Sequence, residues 1–549
     1  MTVYIPGVHK KTAPCSSATT KSSYELPTAF WICIYFGIVM VNIGGFLIAL
    51  HFWIPYPVDS QIYVEVDTSR VLHSTSNKFL SIALDSSIIP KGWRKFDLNS
   101  PLVVRMVSAL SPAYLRFGGT VSDRLIFDTS HVSSVNYSYP TDGESCINGY
   151  EDCALFQKNF TLSGTDWLKI NKFAQAAGLD LIFDVNVLLR NGKHWDPTNA
   201  IKLINYSRDH ELSLSWQLGN EPNSFEYVFG KPVPGRQLAK DFAELRGILD
   251  SVYGSHVKLV GPDITRPRVP RLDAIDYLMD FLKEIRKLGN GVIDAVSWHH
   301  YYLDGRNSTL EDYMDPSNFK IFYAQTQLVK SLVTLLTPGL PIWITETSDA
   351  YGGGTPNITD RFVGGFLWMD KLGSAAVNGI QVVARQCIYG GDYALIDKQL
   401  KPNPDFWLSV LHKKLVGPKV LGVYLRHAKQ SHIHEDGRLR FYAHCAPQIK
   451  ASPNRGAITL FGYNIGSQAV TISLGHDLEL VKSMNVYTLT AEEGLQSRYT
   501  LLNGRRLELN EDGTLPPLMP NVLKSKTLLV PPFAMVFLQI IGLTDTVCD

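Results

Sequence analysis

Two glutamates sit in settings suited to chemistry: Glu221 in GNEPNSF and Glu346 in ITETSDAYGGG. A pair of carboxyl groups can divide an acid–base task. One, protonated, releases a leaving oxygen; the other, ionised, attacks carbon or activates water, which is what cleavage of a glycosidic bond requires. Glu221 reads as the acid/base, because the Asn220 amide beside it can hydrogen-bond a sugar 2-hydroxyl and Pro222 stiffens the turn. Glu346 is then the nucleophile. Each carboxylate raises the proton affinity of the other, which favours a protonated acid at working pH. The chain has no C-x-x-C pair and no Cys/His cluster with zinc spacing, so neither a metal nor an organic cofactor is expected.

Eight short apolar runs must position these groups: Phe79–Asp85, Ala113–Gly119, Asp180–Asn186, Leu214–Glu221, Lys258–Asp263, Asp294–Tyr301, Pro341–Thr347 and Gly379–Gln386. Continuous apolar runs suit strands buried on both faces, and helical patterns such as Gln237–Tyr253 and Leu272–Leu288 lie between them. This predicts an α/β fold, a (β/α)8 TIM barrel over residues 79–416. Most of the runs end in polar residues, where barrel enzymes carry their chemistry. The ends of strands four and seven face each other across the barrel mouth, which allows the carboxyl separation of about 5–5.5 Å of a retaining glycosidase. Past Gly417 the runs alternate (LRFYAH, AITLFGY, AVTISL), predicting a C-terminal antiparallel β-sandwich over 417–549. The alternating QIYVEV within 55–78 is expected to join it. Residues 129–157 read as a linker-like loop over the active face.

Thr28–Ile54 holds no Asp, Glu, Lys or Arg. As a helix it would span about 40 Å at 1.5 Å per residue, enough for a bilayer. Lys10, Lys11 and Lys21 precede it, so residues 1–27 are expected in the cytosol, 28–54 as a transmembrane signal anchor, and the body outside or in a lumen. The alternative is a long cleavable signal peptide ending near Ala49, giving a secreted protein. Sequons at Asn136, Asn159, Asn205, Asn307 and Asn357 agree with that compartment. Five cysteines lie in the body. Cys146 and Cys153 could close an acidic loop; Cys445 and Cys548 could tie down the C-terminus, or either pair could be free thiols. Lys+Arg is 52 against Asp+Glu 51, so no global basic field argues for nucleic acid.

The segments GNEPNSF, WHHYYLDGR, ITETSDAYGGG and AYLRFGGT, together with DKLG, KKLVGPKVL and GTLPPL, resemble the heparanases of glycoside hydrolase family 79 from about Gln61 to Asp549. The resemblance implies a retaining β-glucuronidase with its proton donor at Glu221, its nucleophile at Glu346, and Cys445 paired with Cys548. It implies substrate contacts at Asp85, Thr120, Asn220 and Gln386, and a tyrosine on the nucleophile at Tyr301. A backbone cradle for the uronate carboxylate is implied at Gly352, Gly353, Gly391 and Tyr393. His299 and His300 are read equally as structural or substrate-contacting. A lysosomal or acidic-endosomal workplace is implied by the family alone.

Basic residues for a sulfated polymer are Lys158, Arg268 and Arg306, with Arg266 and Arg271 nearby, but the pattern departs from the family. Asn159, Phe160 and Thr161 stand where further lysines are usual, and Val269 breaks an arginine pair. The expected substrate is heparan sulfate or a related glucuronide polysaccharide, cleaved internally. The alternatives are an exo-β-glucuronidase acting on terminal glucuronides and a catalytically weak heparan-sulfate-binding membrane protein. The 129–157 segment is shorter than the excised family linker, so it either stays in place or is cut less completely.

Overall fold

The strand that carries Glu346, Ile342–Tyr351, runs parallel to Ala295–Asp304 on one side and to Val382–Arg385 on the other. A computed structural model describes residues 62–131, 158–254, 257–268, 270–289, 291–427, 437–447, 456–475, 478, 481, 483–544 and 546–548. All eight expected strands are present. Leu80–Asp85, Ala113–Gly118, Leu179–Val185, Ser215–Leu218, Val260–Ile264, Ala295–Asp304, Ile342–Tyr351 and Val382–Arg385 form one parallel sheet in that cyclic order. A single parallel bridge, Trp216 to Leu259, brings its two edges together, so the barrel is nearly closed. Two strands run further than their apolar runs, to Asp304 and Tyr351.

The helices follow ordinary end rules. Asp273–Leu288 carries Asp273 and Asp276 in its first turn, Arg286 and Lys287 in its last, and ends at Gly289 with φ 108°. Pro316 opens Pro316–Leu336 behind Asp315, whose side chain accepts the Ser317 N–H. Outward strand residues pack on this shell: Phe183 meets Trp167 edge-on at 4.7 Å, and Trp298 stacks on Phe322 at 6.3 Å.

Inside the barrel, Tyr114, Ile182, Val260, Ala295, Trp343 and Val382 form a small apolar cluster of their own. Two residues further along their strands, on the same face, stand Arg116, Asp184, Ser297 and Thr345, all buried. The interior is therefore an apolar plug with a polar layer above it.

The C-terminal part is a β-sheet domain in which Ile62–Asp67 also takes part. That strand pairs antiparallel with Lys419–His427 and parallel with Val470–Leu474. The expectation of a purely antiparallel sandwich is corrected here: the N-terminal strand is inserted between two C-terminal ones, and one of its two pairings comes out parallel. Ile62, Val64 and Val66 share one core with Phe441, Leu460, Val486 and Leu538. Cys445 and Cys548 are joined by a disulfide that fixes the C-terminus to this core, and Cys387 is a buried free thiol.

None of the described helices is long and apolar enough to cross a membrane. The expected span 28–54, the tail 1–27, Cys146, Cys153 and Asn136 lie outside the described residues, as does most of the 129–157 segment. On either side of that segment, Leu125–Asp128 pairs parallel with Phe160–Ser163. Asn159, Asn307 and Asn357 are exposed, and Asn205 is half-buried.

Candidate active site

The fourth strand stops at Leu218, and the chain turns through Gly219 (φ 79°) and Glu221 (φ 52°) before Pro222 opens a short 3-10 turn. A left-handed glutamate costs on the order of 1 kcal/mol, a strain typical of functional positions. It is held in place by the Glu221 N–H donating to the Asp263 carbonyl at 3.0 Å. At position 219 a Cβ would lie 2.6 Å from Val187 Cγ1, so both the turn and the packing demand glycine there.

Glu346 reaches the mouth by a different device. Trp298 and His299 are consecutive, yet they pair with Ile344 and Glu346, which leaves an extra residue, Thr345, on the seventh strand. The eighth strand shows the same irregularity opposite Ile344–Thr347. Such a bulge re-aims side chains. Thr345 and Glu346, although adjacent, both address the barrel interior: the Thr345 hydroxyl donates to Asp263 Oδ1 at 2.7 Å, and Glu346 accepts from Arg116. The fifth strand is also irregular, between Gly261 and Ile264, and it presents Asp263 inward with φ 54°.

Arg116 is the hub, fully buried on the second strand. It donates to Glu346 Oε2 at 2.8 Å, Asn220 Oδ1 at 2.7 Å, Asp263 Oδ2 at 2.9 Å and Gln217 Oε1 at 2.9 Å. Gly118 leaves room for it, since a Cβ there would come within 2.9 Å of the guanidinium carbon. The Tyr301 hydroxyl donates to the other Glu346 oxygen at 2.7 Å. Both oxygens of Glu346 therefore accept hydrogen bonds, which orients the carboxylate. Asn220 is fixed through Oδ1 and through its N–H on Asp123 at 2.9 Å, leaving its amide NH2 to donate.

His299 lies between the two glutamates. Its Nδ1 is 3.0 Å from Glu221 Oε1 and 4.0 Å from Glu346 Oε2, and its Nε2 is 3.4 Å from Asp263 Oδ2. Burial opposes charge on this ring, but Glu346, Asp263 and Glu221 outweigh it and push its pKa up to about 10. Burial would likewise raise Asp263, yet Arg116 and His299 hold it well below the ordinary carboxylate range. Asp184 goes the other way: burial, then Asp123, raise it well above that range, and neither of its oxygens has a hydrogen-bond partner among the described residues. Glu221, His299 and Glu346 place one polar atom each within 4.8 Å of one another, the one such group among the described residues that could converge on a metal. With its imidazole protonated, His299 is a hydrogen-bond donor placed between the two carboxyl groups.

The remaining expected residues ring this centre. Asp85 and Gln386 meet at the first and eighth strand ends, Nε2 to Oδ2 at 3.1 Å. Burial raises the Asp85 pKa. Thr120 starts the 3-10 turn after Gly119. Gly352, Gly353 and Gly391 all have positive φ and adjoin, since a Cβ on Gly391 would lie 2.9 Å from the Gly353 carbonyl oxygen. The Tyr393 N–H is taken by the Gly353 carbonyl at 3.1 Å, as is that of Asp392 at 2.6 Å, so the Tyr393 backbone is spent on joining the two turns. The Tyr393 ring stacks on Tyr301 at 6.5 Å. Lys158 and Arg268 are exposed, and Arg306 is paired with Asp304. His300 points away from the site, to Lys371 and the ring of Phe322.

Sequence reading passed over Arg116 and Gln217, and took Asp263 only as a polar strand end. The signal for Arg116 was present: a charge inside the apolar run AYLRFGG must find buried partners.

A nearly closed parallel barrel with two glutamates at the ends of strands four and seven defines a glycoside hydrolase. The chain belongs to glycosyl hydrolase family 79: the model described as "Glycosyl hydrolase family 79, N-terminal domain" matches residues 83–373. Among similar proteins are a heparanase of Bos taurus, 36% identical over 515 residues (88% of this chain, 92% of the relative), and a hyaluronoglucuronidase of Hirudo nipponia, 32% identical (85% and 95%). A protein named inactive heparanase-2 of Homo sapiens is 33% identical (90% and 92%). A 4-O-α-L-rhamnosyl-β-D-glucuronidase from Fusarium oxysporum 12S shares the fold with a TM-score of 0.62 at 15% identity, covering 87% of this chain and 100% of that one.

Proposed function

We propose that this chain is a retaining endo-β-glucuronidase that cleaves internal glucuronic acid–glucosamine linkages of heparan sulfate or a related glucuronide polysaccharide. The observation that carries the reading is the approach of the two carboxyl groups: Glu221 and Glu346 bring one oxygen each within 4.8 Å. That is close to the separation of about 5–5.5 Å of double-displacement glycosidases and short of the roughly 6.5–9.5 Å at which inverting enzymes hold their carboxyls. In the first step Glu346 bonds to the anomeric carbon as Glu221 passes its proton to the departing glycosidic oxygen. In the second, Glu221 takes a proton from water, the water oxygen bonds to the same carbon, and Glu346 leaves as carboxylate. Arg116 and Tyr301 keep Glu346 aimed. The Asn220 amide is free to hold the 2-hydroxyl, where such a bond strengthens in the transition state.

The N–H groups of Gly352, Gly353 and Gly391 are offered as the uronate site, with Asp85, Thr120 and Gln386 on the sugar hydroxyls. Lys158, Arg268 and Arg306 would line the flanking subsites. The names of the relatives support a glucuronide substrate. The anchor at 28–54, a type II or secreted location with the body lumenal, and glycans on the exposed sequons complete the proposal. Size-exclusion analysis of heparan sulfate after incubation tests it. Wild type is expected to shorten the chains and Glu346→Gln to leave them intact. Release of monosaccharide from an aryl glucuronide with no shortening would favour the exo reading instead.

A further inference from the structure

The basic edge of the cleft is largely neutralised from within. Three guanidinium groups surround the Tyr351 ring: Arg266 and Arg306 at 5.5 Å from its centroid and Arg268 at 5.7 Å. That ring packs edge-on against Tyr301 at 6.3 Å, and Tyr301 bonds Glu346, so the patch lies one aromatic ring from the nucleophile. Arg266 is spent on the backbone, donating to the Tyr301 carbonyl and to that of Tyr302 at 2.6 Å. Arg306 is held by Asp304, the last residue of the sixth strand. Its Nε donates to Oδ1 at 2.8 Å and its Nη2 to Oδ2 at 2.7 Å, a two-pronged pair. The Tyr351 hydroxyl adds a third side-chain bond, to Oδ2 at 2.7 Å, and the Arg306 N–H a fourth, at 3.2 Å. A guanidinium fork binds carboxylate and sulfate with the same geometry. A substrate sulfate that takes this fork must displace Asp304 from Arg306 and then stand beside the displaced carboxylate.

We infer that Asp304 is a specificity-determining residue: by occupying Arg306 it withdraws one sulfate-binding fork from the cleft edge and turns the enzyme toward glucuronide polymers of low sulfation. This rests on the glucuronidase reading and narrows its substrate class. A nearly even overall charge fits it, since no long-range positive field compensates for the lost cation. The probes share a uronic acid–glucosamine backbone, with or without sulfate.

The test uses the full chain carrying Glu346→Gln, so that polymer binds without turnover. Affinity is measured for heparin and for unsulfated N-acetylheparosan. Adding Asp304→Asn is expected to tighten heparin binding about tenfold, the equivalent of about 1.4 kcal/mol. Heparosan binding should change by less than about twofold. A further Arg306→Ala should abolish the gain. Asp304→Ser serves as a second variant, and thermal melting certifies folding of each. Equal tightening on both polymers, no tightening by either variant, or a gain that survives Arg306→Ala would overturn the inference. Cleavage of each polymer by the chain with Glu346 intact is measured alongside. If it cuts neither polymer nor an aryl glucuronide, the glucuronidase reading itself falls and the inference with it. If it cuts both and Asp304→Asn changes nothing, only the inference falls.

Discussion

Arg116 sets the electrostatics of the centre, because one buried guanidinium serves Glu346, Asn220, Asp263 and Gln217 at once. Arg116→Met would leave Asp263 and Glu346 with His299 as their remaining cationic neighbour among the described residues. Loss of one partner from a buried pair costs about 3–5 kcal/mol, and chemical denaturation should show a loss of that order. Arg116→Lys keeps the charge but not the fork, so kcat should fall while the fold survives; an unchanged kcat would remove Arg116 from the account. For Glu221→Ala, turnover of substrates with poor leaving groups should drop about 10²–10⁴-fold, the usual share of a general acid, and aryl glucuronides with good leaving groups should suffer much less. The two glutamates were legible because each sits in a distinctive local string. Asp263 was not, since GPDITRP read as a strand end followed by a basic loop, and only the irregular pairing of that strand turns the carboxylate inward.

At the scale of elements, the sixth strand couples the centre to the rest of the molecule. His299 and Tyr301 face the glutamates. His300 and Tyr302, on the other face, meet Lys371 and Asp370 of the helix Gly364–Val377. Asp370 is fully buried and also accepts from Tyr442 at 2.6 Å, Tyr463 at 2.9 Å and Arg440 at 3.0 Å, all from the β-sheet domain. Gly373 lets Tyr442 approach, since a Cβ there would lie 2.1 Å from the ring. Asp370→Asn should therefore destabilise the whole described body by about 3–5 kcal/mol, read as one cooperative unfolding transition at lower denaturant. A separate early transition of the β-sheet domain would show that this contact does not couple the two. Eight strands were countable from apolar runs because both faces are buried. The bulge at Thr345 was not, because ITETS offers no Gly or Pro to mark it. The insertion of Ile62–Asp67 beside Val470–Leu474 was also hidden, since alternation tells which faces are buried and not which neighbour is chosen.

At the scale of the whole molecule, His299 and Asp123 favour acidic conditions, whereas His412 and His444, whose pKa values burial lowers, favour alkaline ones. His299 has its pKa pushed up to about 10, so it contributes stability that is complete below its unfolded value of about 6.5 and is lost as pH rises toward 10. Asp123, raised by burial to about 7, contributes most below about 3.9 and loses its share as pH rises through 7. Asp263 works in the opposite sense, its stabilisation being lost only in strong acid. Between about pH 7 and pH 9 the melting temperature of wild type is expected to fall more than that of His299→Gln, because only wild type carries the His299 contribution; equal declines would contradict this. The overall charge balance was legible from composition, but its local meaning depends on Asp304 and Arg306, two residues apart in the chain, pairing with each other. The central claim, that Glu346 attacks the sugar while Glu221 assists, is tested most directly by trapping. The protein is incubated with a 2-deoxy-2-fluoro-glucuronide bearing a good leaving group, and its peptides are analysed by mass spectrometry. One glycosyl adduct on the peptide containing Glu346, absent in Glu346→Gln, is the predicted result; an adduct on another carboxylate, or hydrolysis without any adduct, would contradict it.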